Sequence, residues 1–298
     1  MPALRFVLLV PVLAAAAVAA GSARSEPARP LPFFYDLYTF RGPGGSTEVV
    51  SSFAVEAGNL ETEHAGGAIR YRFSVTLVLA DTVLRTVSNT HDTVYVDVGR
   101  RFPDEHLLFT HVTVAAPPSR TTRQRMIMID ATSPGIGQLY TETIPIPDYG
   151  GRRLMLSDIA FGRPDATIGW KRGDAILGIL PTTRFPPAEF DIYYEVYNLP
   201  AGNDYRTEIA IERTDSAAPA AEPIRLRFAG ESSTQLDGVL PQLRRVDASL
   251  SRGSYRLTVT ITDLVSGTSV TRSRPFDVLG EERGATAVSA FRRTHSGR

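Results

Sequence analysis

The sequence predicts an all-β protein: a segment for export followed by two immunoglobulin-like β-sandwiches in tandem. Three observations carry this. Apolar residues alternate with polar ones along most of the chain, turn-forming Gly, Pro, Ser and Asn clusters separate the alternating runs, and the first residues form a short apolar block. The length of 298 residues suits about two domains of roughly 100–150 residues. A content of 43% hydrophobic and 21% charged residues is that of ordinary globular chains.

Taken in order, Arg5 precedes an apolar run from Phe6 to Ala20 that closes in small residues. This reads as a signal peptide over 1–23, with cleavage between Ala19 and Ala23, and places the protein in the periplasm or on the cell surface. The run is too short to cross a bilayer and contains Pro11, and no second segment is apolar enough to span, so no transmembrane segment is expected in the mature chain. Residues 24–32 read as a disordered lead-in. The chain has no cysteine, so in an oxidising compartment its stability must come from core burial rather than disulfides.

Residues 33–162 read as the first sandwich, with strands at Val49–Val55, Ile69–Leu79, Val94–Val98, Leu107–Val114 and Arg125–Ile129. Residues 163–187 lose the alternation and carry Pro164, Pro181, Pro186 and Pro187, so the connection is placed there, with one strand at Ala175–Leu180. The second sandwich covers 188–280. Its strands are read at Ile192–Val196, Thr207–Ile211, Ile224–Phe228, Tyr255–Ile261 and Val270–Val278, with a flexible loop at 216–223. Residues 281–298 read as a loose tail.

The two halves share a pattern. Arg125–Asp130 and Thr258–Asp263 are strands that both end in Asp, and each is followed by a Ser-containing turn and another strand. A repeated sandwich unit explains this. In the second half, Leu250, Gly253 and Tyr255 match the spacing L-x-x-G-x-Y of a tyrosine corner, in which the phenol bonds backbone across the corner between sheets.

Candidate chemistry is sparse, and we expect no catalytic, cofactor or metal site. The 32 basic and 32 acidic side chains cancel, and neither sign forms a block, so the sequence shows no footprint for nucleic acid or anionic lipid. The five histidines are scattered; Glu61-Thr62-Glu63-His64 lacks a further ligand at metal-binding spacing. No serine sits in a G-x-S-x-G elbow. Arg172-Gly173-Asp174 spells an integrin-type tripeptide with nothing around it to support that role. Tyr193, Tyr194 and Tyr197 are the one aromatic surplus. Either they pack between the domains or they form a candidate binding surface, stacking on a sugar ring or a partner chain.

From about Phe34 to Leu279 the chain resembles the β-rich region of the bacterial GWxTD-domain proteins. The stretches that carry the resemblance are Leu156-Ser157-Asp158-Ile159-Ala160, Pro181–Phe185, Asp191–Leu199 and Leu250–Asp263. The motif that names the family is missing, since Gly169-Trp170-Lys171-Arg172-Gly173-Asp174 lacks its Thr-Asp. The resemblance therefore implies export and a sandwich fold and transfers no functional residue. The reading that results is a non-enzymatic exported structural or protein-interaction module without cofactor. A glycan-binding or adhesive module is the alternative, and a hydrolase with a dispersed site comes third. The expected partner is a protein or a glycan.

Overall fold

The computed structural model describes residues 29–279, apart from 134–135, 164–168, 186–188, 216–221, 234–237 and 248–249. The segment read as a signal peptide, the expected lead-in before residue 29, most of the 216–223 loop and the expected tail lie outside the described residues.

The described chain is all β, with no α-helix. In the first half the strands are β1 Arg29–Pro30, β2 Phe34–Arg41, β3 Thr47–Glu56, β4 Thr62–Ala65, β5 Ala68–Ala80, β6 Thr86–Val98, β7 Leu107–Ala116, β8 Ser119–Asp130 and β9 Ile136–Ile146. In the second they are β10 Met155–Leu156, β11 Ala160–Arg163, β12 Trp170–Arg172, β13 Ala175–Ile179, β14 Arg184–Phe185, β15 Phe190–Tyr197, β16 Asp204–Arg213, β17 Ile224–Glu231, β18 Val239–Val246, β19 Gly253–Asp263 and β20 Ser269–Val278.

These make four sheets. One has the order β6-β5-β8-β9, with β4 beside β5 and β1 parallel to β9. The second is β2-β3-β7. In the third, β15 pairs with β18 on one side and with β10 and β11 on the other, and β13 and β12 extend it beyond β11. The fourth is β17-β16-β19-β20-β14, with β14 parallel to β20.

Period-two geometry decides how the sheets stack, because alternate side chains of one strand face opposite sides. On β3, Val49, Phe53 and Val55 enter a core with Tyr71, Phe73, Leu77, Met126 and Met128, while Val50 enters a different one. On β15, Ile192, Tyr194 and Val196 enter a core with Phe161, Ile209, Leu257, Val259 and Phe276, while Tyr193 faces away from it. Between β3 and β15 lies the third core: Tyr38, Phe40, Val50, Ala160, Trp170, Leu177, Ile179 and Tyr193. The second and third sheets are thus covered on both faces, and the four sheets form one stack. Every residue of β15 is buried for this reason.

The strand orders of the halves correspond. β6-β5-β8-β9 and β17-β16-β19-β20 follow the same path: successive strands pair at each end, and the central pair, β5 with β8 or β16 with β19, joins strands with two others between them in the chain. Each also has a two-residue parallel strand on its last member, β1 at the start of β9 and β14 at the end of β20.

Two expectations need correction. The segment read as a connection carries β12, β13 and β14, and β10 and β11 before it already pair with β15. The strands there are only two to five residues long, and the side that β12 and β13 bury is carried by a few residues at the joint rather than by a long alternating run: Trp170 is 3% exposed and Leu177 fully buried. The lead-in is ordered from Arg29 onward, because Leu31 is fully buried in the first core beside Phe33.

Candidate functional site

The largest concentration of charge in the interior lies where the second and third sheets meet. β15 aims Tyr193, Glu195 and Tyr197 at the first half, since all three share one face of the strand. Glu195, 2% exposed, accepts a bond from each phenol: Tyr193 Oη at 2.8 Å and Tyr197 Oη at 2.6 Å. Its backbone N–H donates to Ser157 Oγ at 2.8 Å.

The counter-charge comes from β12. Arg172 grips Glu195 with two parallel bonds, Nε to Oε1 at 2.7 Å and Nη2 to Oε2 at 3.0 Å. It also donates to Glu48 Oε2 of β3 at 2.7 Å and to the Arg41 carbonyl of β2 at 2.6 Å. The geometry that makes an Arg–carboxylate pair strong is present, and each of the three guanidinium nitrogens has a bonded partner. The hairpin between β12 and β13 turns at Gly173, whose φ of 55° suits glycine, and so brings Arg172 back over the sheet.

Arg41 closes the cluster from the first half. Its N–H donates to Tyr197 Oη at 2.8 Å, its guanidinium lies 4.3 Å from the centre of the Tyr197 ring, and its Nε and Nη2 bond the Tyr149 carbonyl. Burial disfavours ionisation of three phenols here: Tyr193 and Tyr197 are raised far above the usual range by desolvation and then by Glu195, and Tyr149 by desolvation and then by Asp158. None of them is a candidate general base.

Beside this lies a second set of interlocking pairs. Asp158, just before β11, accepts from the Thr39 N–H at 2.9 Å and from Thr39 Oγ1 at 2.5 Å, and it pairs with Arg272 of β20. Arg274 of β20 bonds Asp36 of β2 at 2.5 Å and lies over the Tyr38 ring at 4.3 Å. Burial raises the Asp36 carboxyl above its ordinary range, against the opposing pull of Arg274. These contacts tie the end of the chain to its beginning.

The tyrosines proposed as a binding surface are not on the surface. Tyr193, Tyr194 and Tyr197 are each fully buried, Tyr193 and Tyr197 in the joint and Tyr194 in the second core. The reason is that β15 is central in a sheet covered on both faces, so neither of its faces meets water. The glycan-binding alternative loses the residues that motivated it. The integrin-type tripeptide is likewise engaged, its arginine spent on Glu195 and Glu48.

The corner residues behave differently. Tyr255 is buried, and its hydroxyl donates to the Ser251 carbonyl, four residues upstream, at 2.8 Å. Gly253 is packed against Arg213 and Asp215, which a Cβ there would approach to 2.7–2.9 Å. Leu250 packs against the second core. Asp130 and Asp263, which end corresponding strands β8 and β19, both organise the turn that follows. Asp130 accepts from the N–H groups of Thr132 and Ser133, and Asp263 from the N–H of Val265 and the hydroxyl of Ser266.

Histidine and carboxylate pairs elsewhere are structural. His106 is buried with its ring stacked 4.0 Å from Phe102, and burial lowers its pKa. Glu61 donates its N–H to Asp130 Oδ2 at 2.6 Å. Among the described residues no three His, Asp or Glu side chains converge in a way that would hold a metal ion, and no helix is long and apolar enough to cross a membrane.

Sequence reasoning missed Arg172 and Glu48 as partners of Glu195. The available signal was a lone Glu between tyrosines in an otherwise apolar and aromatic run, Ile192–Tyr197, since a carboxylate there requires a buried cation.

No protein-family model matches the chain, and no curated protein matches it. Among solved structures it is similar to a calcium-binding mutant of Bacteroides uniformis beta-glucuronidase 2, with 10% identity and a TM-score of 0.26 over 81% of this chain and 28% of that one. It is similar also to Bacteroides uniformis beta-glucuronidase, with 9% identity and a TM-score of 0.25 over 76% and 26%. The chain spans about a quarter of the length of each. Likeness at that level assigns nothing to this chain.

Proposed function

We propose that the protein is an exported, non-enzymatic structural or interaction module made of two immunoglobulin-like units fused face to face. One observation carries the reading: the strongest concentration of charged and phenolic groups, around Arg172 and Glu195, is saturated by its own internal bonds and buried in the joint. A catalytic constellation needs groups held near a space that a substrate can reach. Here the same residue types are spent on fixing two sandwiches relative to each other, which favours a rigid spacer or platform whose outer faces and edges meet partners.

The resemblance to the β-rich region of GWxTD-domain proteins is part of this proposal. Its quoted residues Ser157, Asp158, Ala160, Tyr193, Glu195 and Tyr197 all lie in the joint, as expected if the shared motifs encode the stack. Export rests on the apolar run Phe6–Ala20.

The test is fractionation of native cells with mass spectrometry of the recovered N-terminus, followed by chemical crosslinking in the envelope fraction. The reading expects a mature chain that starts between residues 20 and 24 and a reproducible crosslinked partner. A full-length chain in the cytosol, or a hydrolytic activity that stays with the purified protein, overturns it.

A further inference from the structure

The sequence has no block of basic residues, yet the fold assembles one around an exposed apolar tip. β5 and β6 are joined by the turn Asp81–Arg85. Asp81 Oδ1 accepts from the Val83 and Arg85 N–H groups at 3.0 and 2.8 Å, Leu84 N–H donates to the Asp81 carbonyl at 3.1 Å, and Asp81 N–H donates to the Arg85 carbonyl at 2.9 Å. The turn is therefore firmly built. It holds Leu84 at φ 66°, in the left-handed region where a bulky side chain is uncommon and glycine or asparagine is the usual occupant. It leaves Val83 68% and Leu84 48% exposed, with Val87 43% exposed one step along β6. Three aliphatic side chains stand in water here without contributing to a core.

The strand beside this tip supplies the charge. β8 sets Arg123 opposite Ala80 and Arg125 opposite Val78, with Arg120 at the end of the strand nearest the turn and Arg85 closing the turn itself. Neighbouring strands are ~4.8 Å apart and residues rise ~3.3 Å, which puts the four within roughly 15 Å of the tip. Arg85, Arg120 and Arg123 are exposed and Arg125 half-buried. Among the described residues none of the four is in an ion pair. The nearby acids are engaged elsewhere: Asp81 holds the turn, and Glu142 bonds Gln124, whose side chain faces the other side of the sheet from Arg123 and Arg125. The β19–β20 tip also exposes two aliphatics, Leu264 at 48% and Val265 at 69%, but it is flanked by Asp263 and Asp204.

We propose that the β5–β6 corner docks on an anionic lipid surface. Val83, Leu84 and Val87 enter the boundary between headgroups and acyl chains, and Arg85, Arg120, Arg123 and Arg125 meet the headgroup phosphates. Apolar burial combined with attraction of basic residues to anionic lipid is the physics of interfacial anchoring.

Because the chain contains no cysteine, Val83→Cys offers a unique labelling site in the full-length protein. An environment-sensitive fluorophore placed there is mixed with vesicles of phosphatidylglycerol and phosphatidylcholine, or of phosphatidylcholine alone. The probe reports only its own surroundings, so attachment of the chain through Phe6–Ala20 would not move it. The expected result is a blue shift and intensity gain on the anionic vesicles, reduced by salt, with the same probe at Val265→Cys unmoved. Arg123→Glu with Arg125→Glu lowers the apparent affinity by roughly 25-fold or more, about fivefold for each basic residue lost. A Val83 probe that stays in water on anionic vesicles, or that responds equally to neutral vesicles, overturns the proposal. So does an equal response at Val265, or a Val83 probe that is silent on vesicles and shifts only with a protein from the envelope.

Discussion

Two buried tyrosines of the second half differ in what their hydroxyls find. Tyr255 Oη donates to the Ser251 carbonyl at 2.8 Å, so Tyr255→Phe is expected to lower stability by about 0.5–1.5 kcal/mol, the net worth of one hydrogen bond. Tyr194 Oη lies beside Thr207 and Arg244 without a hydrogen bond of normal geometry, and desolvation pushes its pKa up to about 12. Removing an unsatisfied buried group recovers its desolvation cost, so Tyr194→Phe is expected to raise stability by about 1 kcal/mol. Urea unfolding of both variants checks the pair, and opposite signs are the prediction.

Asp263 carries a pH dependence. Hydrogen bonds, first from the Ser266 hydroxyl and then from the Val265 N–H and Asn203, hold its carboxyl below the ordinary range. A carboxyl depressed in the folded state contributes stability above its unfolded pKa and loses it as pH falls through the folded value. Wild type should therefore exceed Asp263→Asn in Tm at neutral pH, and the gap should close progressively below about pH 4. A gap that stays constant down to pH 2 would remove the ionised carboxylate from this account.

At the scale of elements, the short hairpin of β12 and β13 does more than its length suggests. It supplies Trp170, which stacks on Phe40 with ring centroids 4.8 Å apart, and Arg172, which faces Glu195 and Glu48. Arg172→Met would strand the Glu195 carboxylate in the joint, and breaking a buried pair in this way costs about 3–5 kcal/mol. Changing Glu195 to Gln in the same chain removes the uncompensated charge and should recover part of that loss, which a double-mutant cycle in urea measures directly. Trp170→Ala opens a cavity among Phe40, Tyr193 and the hairpin, with an expected cost of about 3–5 kcal/mol.

At the scale of the molecule, the third core and the pairs Arg272–Asp158 and Arg274–Asp36 couple the halves. Beads on a flexible linker would unfold independently, whereas units that share a core lose it together. Calorimetry of the wild type should give one transition with equal calorimetric and van't Hoff enthalpies. Trp170→Ala with Arg172→Met should split it into two, each half keeping its own core.

By itself the sequence determined what depends on local periodicity and turn chemistry. Alternation along Tyr255–Ile261 has one meaning wherever the strand sits, and the L-x-x-G-x-Y spacing places a phenol four residues from its acceptor. The likeness of Asp130 and Asp263 is local for the same reason. What only the tertiary structure decided is which surfaces meet. Tyr193 and Tyr197 are buried because a second sheet covers their face, and 163–187 resembled a linker because its strands are two to five residues long, too short for a run of alternation to show. The arginines near Val83 come from a turn and a strand that are some forty residues apart in the chain, so a scan for charge blocks passes over them, and strand pairing alone brings them together.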